Sequence, residues 1–147
     1  MDWEELHRSR LRLWFELDGG VGELFVDAAQ RGFRGHASAW FQAEELVAFS
    51  RSLDGVVERR LDQARLEGGP LTSQETKLSL RFFPAGLRGY LALEVLLVDP
   101  ELDDALPPGQ RRLSLRLQVA PAPAARFAQR LRRLAAGELR EVRLPCS

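Results

Sequence analysis

Three observations predict an α+β fold, a twisted antiparallel sheet of six to seven strands with two helices in the order βββ-α-(β)βββ-α. Apolar and polar residues alternate over several segments between residues 10 and 119, which is the period of strands with one buried face. Two other stretches switch to the period of an amphipathic helix. Turn residues punctuate the changes, at Asp18-Gly19-Gly20, Arg31-Gly32, Asp54-Gly55, Pro84-Ala85-Gly86 and Leu106-Pro107-Pro108-Gly109.

The elements follow in order. Leu11, Leu13, Phe15 and Leu17 alternate with Arg10, Arg12, Trp14 and Glu16, and the turn at Gly19-Gly20 makes a hairpin with a strand from Val21 to Gln30. A third strand spans Phe33 to Phe41, where Gly35, Ala37 and Ala39 form a small face that suits close passage of a helix. Leu46, Phe49 and Leu53, with Val47, mark a helix over Ala43–Leu53 that Asp54-Gly55 stops. Residues 56–69 read as a connector with a short strand near Ala64 to Glu67. Leu78, Leu80 and Phe82 begin the densest alternation, and Leu91, Leu93, Val95 and Leu97 and then Leu113, Leu115, Leu117 and Val119 continue it. Leu93 and Val95, flanked by strands that put leucines on the same face, are expected among the most buried residues. Pro121 and Pro123 suit the first turn of a helix running to Ala136, with Phe127, Leu131 and Leu134 as its stripe. A tail strand is placed at Glu141 to Leu144. The helices are most easily set on one face of the sheet. No internal repeat, low-complexity tract or interdomain linker is visible, so residues 1–147 read as a single domain.

Composition narrows the function classes. A chain of 147 residues can bury roughly 68–70% of its unfolded surface. Its 21 basic and 21 acidic residues balance, leaving no global field for a polyanion or an anionic membrane. Lys77 is the sole lysine and isoleucine and asparagine are absent, a bias of GC-rich coding that weakens arginine excess as a sign of nucleic acid. Cys146 is the lone cysteine, which excludes an internal disulfide and a cysteine-cluster metal site and implies a reducing compartment. The acidic start, Met1-Asp2-Trp3-Glu4-Glu5, is unlike a signal peptide, and no apolar run approaches the ~18 residues of a membrane span. The expectation is a cytoplasmic protein without membrane contact.

Chemistry-bearing motifs are missing. His7 and His36 lack partners at metal-ligand spacing. No serine sits in a Gly-x-Ser-x-Gly elbow, and Gly19-Gly20-Val21-Gly22 joins strands instead of opening a helix. No catalytic, cofactor or metal residue is assigned, and an enzyme is not expected. Two partner-binding surfaces are. One is the acidic loop with Asp99, Glu101, Asp103 and Asp104, whose spacing fails the EF-hand pattern and which suits contact with a basic partner. The other is the polar side of the sheet, where Arg10, Arg12, Trp14, Arg34, His36, Trp40, Arg81, Phe83, Arg112 and Arg116 fall together. Arginine with aromatics marks protein interfaces, and the same combination can stack and grip single-stranded nucleic acid. Balanced charge ranks protein first. Structural packing, with Trp14, Phe25, Trp40 and Phe83 beneath a helix or a curled strand and arginine stems at the rim, ranks ahead of both binding readings of this face.

The chain resembles the WapI-type immunity protein group and related uncharacterised small bacterial domains. The resemblance lies in Gly35-His36-Ala37-Ser38-Ala39-Trp40-Phe41 running into Glu44-Glu45-Leu46 and Phe49, in Glu75 with Leu78, Leu80 and Phe82, in Gly89 with Leu91, Leu93 and Val95, and in the Leu113-x-Leu-x-Leu strand before the helix with Phe127. It implies a non-catalytic protein that neutralises a cognate toxin. A cytosolic adaptor or structural domain is the alternative that needs no family likeness.

Overall fold

The computed structural model describes residues 8–70, 76–86, 88–100 and 110–147. Strands β1 (Arg10–Asp18) and β2 (Val21–Gln30) form the first hairpin, and a second tight turn leads to β3 (Phe33–Gln42). In that turn both Arg31 (φ 48) and Gly32 (φ 91) are left-handed, the pattern of a two-residue connection that matches strand twist. Helix α1 (Ala43–Val57) follows directly, then β4 (Ala64–Gly68), β5 (Leu78–Pro84), β6 (Leu91–Pro100), β7 (Gln110–Val119), α2 (Pro121–Ala135) and β8 (Glu141–Pro145).

These eight strands make two four-stranded sheets, in the orders β3-β2-β1-β8 and β4-β5-β6-β7, and every pairing is antiparallel. The expectation of one sheet with six to seven strands is therefore corrected. Alternation reports which side of a strand is buried, but it does not report which strand lies alongside. Backbone hydrogen bonds link the margins of the two sheets. Trp40 N–H donates to the Gly69 carbonyl at 3.1 Å, and Gln118 and Ser147 exchange a pair of backbone bonds at 2.8 and 2.9 Å.

The topology repeats although no repeat is visible in the sequence. It divides into two βββαβ halves, β1-β2-β3-α1-β4 and β5-β6-β7-α2-β8, and each half gives its last strand to the other's sheet: β4 pairs with β5, and β8 pairs with β1. Neither half holds a complete four-stranded sheet of its own.

One apolar core is shared by the inner faces of both sheets and by both helices. Leu11, Leu13, Leu24, Val26 and Leu144 come from the first sheet, Leu80, Phe82, Leu93 and Leu117 from the second. The Phe82 ring lies 6.0 Å from both Phe49 of α1 and Phe127 of α2, the spacing of interacting aromatic pairs. Leu93 and Val95 are buried as expected, at 0% and 1% exposure. Helix α1 packs chiefly on β4 and β5 of the second sheet and α2 on β8 and β1 of the first, with the two helices against each other, so they do not share one sheet face.

Local differences have physical causes. Helix α1 passes through Asp54-Gly55 because Val56 extends the buried stripe of Leu46, Phe49 and Leu53, and because Gly55 makes room for Leu61. The small face of β3 receives a leucine from the other sheet instead of a helix: a Cβ on Gly35 would meet Leu113 Cδ2 at 2.8 Å. The short strand near Ala64 and the tail strand after Glu141 are both present. No helix among the described residues is long and apolar enough to cross a membrane.

Candidate functional site

Splitting the strands between two sheets also splits the polar residues. Arg10, Arg12, Trp14, Arg34, His36 and Trp40 lie on the outer face of the first sheet, whereas Arg81, Phe83, Arg112 and Arg116 lie on that of the second. The single polar face expected above is thus two faces. Each strand's alternation is defined relative to its own sheet.

On the first face, the two-residue turn at Gly19-Gly20 sets the register of β1 against β2. It places Trp14 opposite Phe25 and Arg12 opposite Asp27. β3 adds Ser38 beside Phe25, His36 beside Asp27 and Arg34 beside Ala29, while β8 adds Glu141 beside Trp14 and Arg143 beside Arg12. An aromatic row therefore runs next to an arginine–carboxylate row.

Asp27 is the hub of the second row. It is 7% exposed, and an ionised carboxylate so placed needs compensation. Arg34 Nη2 donates to Asp27 Oδ2 at 3.3 Å, with guanidinium nitrogens of Arg12 and Arg10 at 3.8 and 4.0 Å. Arg12 also donates from Nε to Glu141 Oε1 at 2.7 Å and lays its guanidinium over the Trp14 ring, 4.6 Å from the centroid. Arg143 reaches the same Glu141 oxygen at 3.0 Å. Partial burial works against ionisation of Glu141, but the hydrogen bonds and charges of Arg12 and Arg143 outweigh it and hold the carboxyl below its ordinary value. Ser38 Oγ donates to Glu23 at 2.7 Å in the neighbouring row.

Between the aromatic and arginine rows lies an open groove of about 790 Å³, with Trp14 and Phe25 together, Arg12, Asp27 and Arg34 on one side, and His36 and Ser38 along β3. Trp14 and Phe25 remain partly accessible, as does Arg34, whose side chain is 54% exposed. Such a surface can bury an apolar side chain while its ordered arginines meet an acidic one. Among the described residues no group of three or more His, Cys, Asp and Glu could hold a metal ion. Cys146 is turned away from this chemistry: its thiol contacts the Leu144 carbonyl at 3.4 Å, and burial pushes its pKa up to about 12.

On the second face Arg81 binds Glu94, Arg116 approaches the same carboxylate at 3.6 Å, and both guanidinium groups lie over Phe83, at 4.5 and 5.5 Å. The hydrogen bond from Arg81 lowers the Glu94 pKa most, against partial desolvation, and the charges of Arg81 and Arg116 add to it.

Of the sequence-predicted contact residues, Arg12, Trp14 and Arg34 meet at the groove, and Trp40 lies on the same face one row away, opposite Glu23. Arg81 and Arg116 form the separate cluster on the second sheet. Asp99 is in β6 opposite Arg111, while its side chain and all of Glu101, Asp103 and Asp104 lie outside the described residues, as does His7. Asp27, Glu94 and Glu141, the carboxylates that order the arginines, were missed by sequence reasoning. Asp27 carried a usable signal, since the Gly19-Gly20 turn by itself puts it opposite Arg12.

No protein-family model, no curated protein and no solved structure matches this chain at a significant level.

Proposed function

We propose that this chain is a non-catalytic protein-binding domain, and that its contact surface is the outer face of the first sheet around Trp14, Phe25 and Arg34. The observation that carries the reading is the groove beside Trp14 and Phe25, flanked by arginines that Asp27 and Glu141 already hold in place. Ordering those side chains before contact lowers the entropy cost of binding. Aromatic anchors beside arginine are the residues that carry most of the energy at protein interfaces. Nucleic acid ranks behind, because the chain's 21 basic and 21 acidic residues balance and leave no long-range field to draw a polyanion to this face.

The resemblance to immunity proteins gives the partner its form, a toxin encoded beside this chain. Co-expression tests this reading. The wild-type chain should protect cells from the neighbouring gene product, and Trp14→Ala with Arg34→Glu should abolish protection while the purified variant keeps its circular dichroism spectrum. A neighbouring product that is toxic alone and is not neutralised by the wild-type chain would remove the immunity reading.

A further inference from the structure

The two halves agree well beyond their order of elements. Both helices have fifteen residues, and their N-caps, Gln42 and Ala120, take nearly the same backbone angles (φ −75, ψ 146 and φ −71, ψ 151). Their C-caps, Glu58 and Ala136, share φ −82. Three closing hydrogen bonds repeat: Glu58 to Asp54, Arg59 to Val56 and Arg60 to Gly55 in the first half, Ala136 to Arg132, Gly137 to Leu134 and Glu138 to Arg133 in the second, while Leu61 to Gly55 is added in the first half. At one constant spacing the buried residues Phe49, Leu53 and Val56 become Phe127, Leu131 and Leu134, and the following strands match as Arg65-Leu66 with Arg143-Leu144.

The outer faces correspond too. In each half an arginine of the first strand lies over the aromatic ring two residues on and pairs with a carboxylate directly across the second strand. These sets are Arg12, Trp14 and Asp27 in one half and Arg81, Phe83 and Glu94 in the other. A feature present on both faces is most simply a device of the shared fold. Among the differences that the register identifies, Phe25 stands where the second half has Ala92, Arg34 where it has Ser114, and His36 where it has Arg116.

We infer that the chain is a fused, strand-exchanged dimer of one βββαβ unit, and that Phe25, Arg34 and His36, three groove positions at which its two outer faces diverge, set the specificity of the first face. The second part rests on the protein-binding reading above. These three residues line the same groove, and together they offer an aromatic wall, a cation and an imidazole. The chemistry selects a partner segment with an acidic side chain next to an apolar one. Arg12, Trp14 and Asp27 hold the sheet and pre-order the groove, and Arg81, Phe83 and Glu94 make the same contacts on the second sheet.

The duplication supplies its own control, because each position already tolerates the other half's residue within this fold. The full-length triple variant Phe25→Ala, Arg34→Ser, His36→Arg gives the first face the second face's residues at these three positions. Its melting temperature should fall by no more than about 4 °C, the shift expected of a mild substitution set in a chain of this size. Its affinity for the product of the adjacent gene, measured by titration calorimetry, should fall at least about tenfold, corresponding to roughly 1.4 kcal/mol. A collapse in melting temperature would overturn the equivalence of the halves. A preserved fold with unchanged affinity would overturn the specificity assignment. If the wild-type chain does not bind this product in the same titration, the immunity reading fails and takes the specificity assignment with it, while the melting temperature still decides the duplication.

Discussion

Asp54 and Arg132 occupy the same position in the two halves of the chain, and they bind each other: Arg132 Nη1 donates to Asp54 Oδ2 at 2.7 Å, with Ser50 Oγ a further acceptor at 3.4 Å. Two copies of a unit packed about a twofold axis bring some residue against its own copy. In a true homodimer that meeting joins like with like, which for a charged side chain is repulsive. Once the copies are fused into one chain the two positions can differ, and here they carry opposite charges across the α1–α2 contact.

Reversing one charge should therefore destabilise, and reversing both should restore. Asp54→Arg sets two arginines together and should cost about 1 kcal/mol in urea unfolding, the scale of a partly exposed pair. Arg132→Asp should cost a similar amount. The double variant should recover most of either loss, and the coupling follows from a double-mutant cycle.

Arg59 and Gly137 form another matched pair, both left-handed just past a helix C-terminus, at φ 61 and φ 78. Glycine takes this conformation without strain, whereas other residues pay about 1 kcal/mol or more. Arg59→Gly should raise stability by about 0.5–1 kcal/mol. Gly137→Arg should lower it by a comparable amount, read from the same unfolding curves.

Phe82 joins the two halves through the core, since it is fully buried between Phe49 and Phe127. Phe82→Ala should cost about 3–5 kcal/mol by lost burial and the remaining cavity. Phe33→Ala, at a residue 69% exposed, should change stability by less than about 0.5 kcal/mol.

Glu94 and Glu141 titrate below their ordinary value of 4.5, so folding binds fewer protons than unfolding in acid. The stabilisation is fully present above that value and is lost as pH falls through the depressed folded values. Thermal melts should show stability declining below about pH 4.5. Glu141→Gln and Glu94→Gln should each lower stability near neutrality and flatten the acid decline. An unchanged decline in the double variant would place its origin in other carboxylates.

How much of this was legible follows from what each signal reports. The inward residues of every strand and the stripes at Leu46–Leu53 and Phe127–Leu134 were readable, because burial imposes period two or 3.6 on a single segment. Strand partners were not. Nothing in Ala64–Gly68 or Glu141–Pro145 indicates that each crosses to the other half's sheet. The duplication was hidden for a related reason. Core positions require only an apolar side chain of suitable size, so Val26 and Leu93, or Leu13 and Phe82, fill equivalent places without resembling each other in sequence. On the candidate face, Arg12, Trp14 and Arg34 were found by residue type. Asp27 was overlooked because a lone carboxylate on a strand is ordinary until the hairpin register sets it against three arginines.

The central claim, that the first sheet's outer face is where a partner docks, is tested most directly by hydroxyl-radical footprinting of side chains in the complex with the adjacent gene product. The account predicts that Trp14, Phe25 and His36 become protected on complex formation while Phe83 on the second sheet keeps its reactivity. Protection of Phe83 with Trp14 and Phe25 unchanged would contradict it.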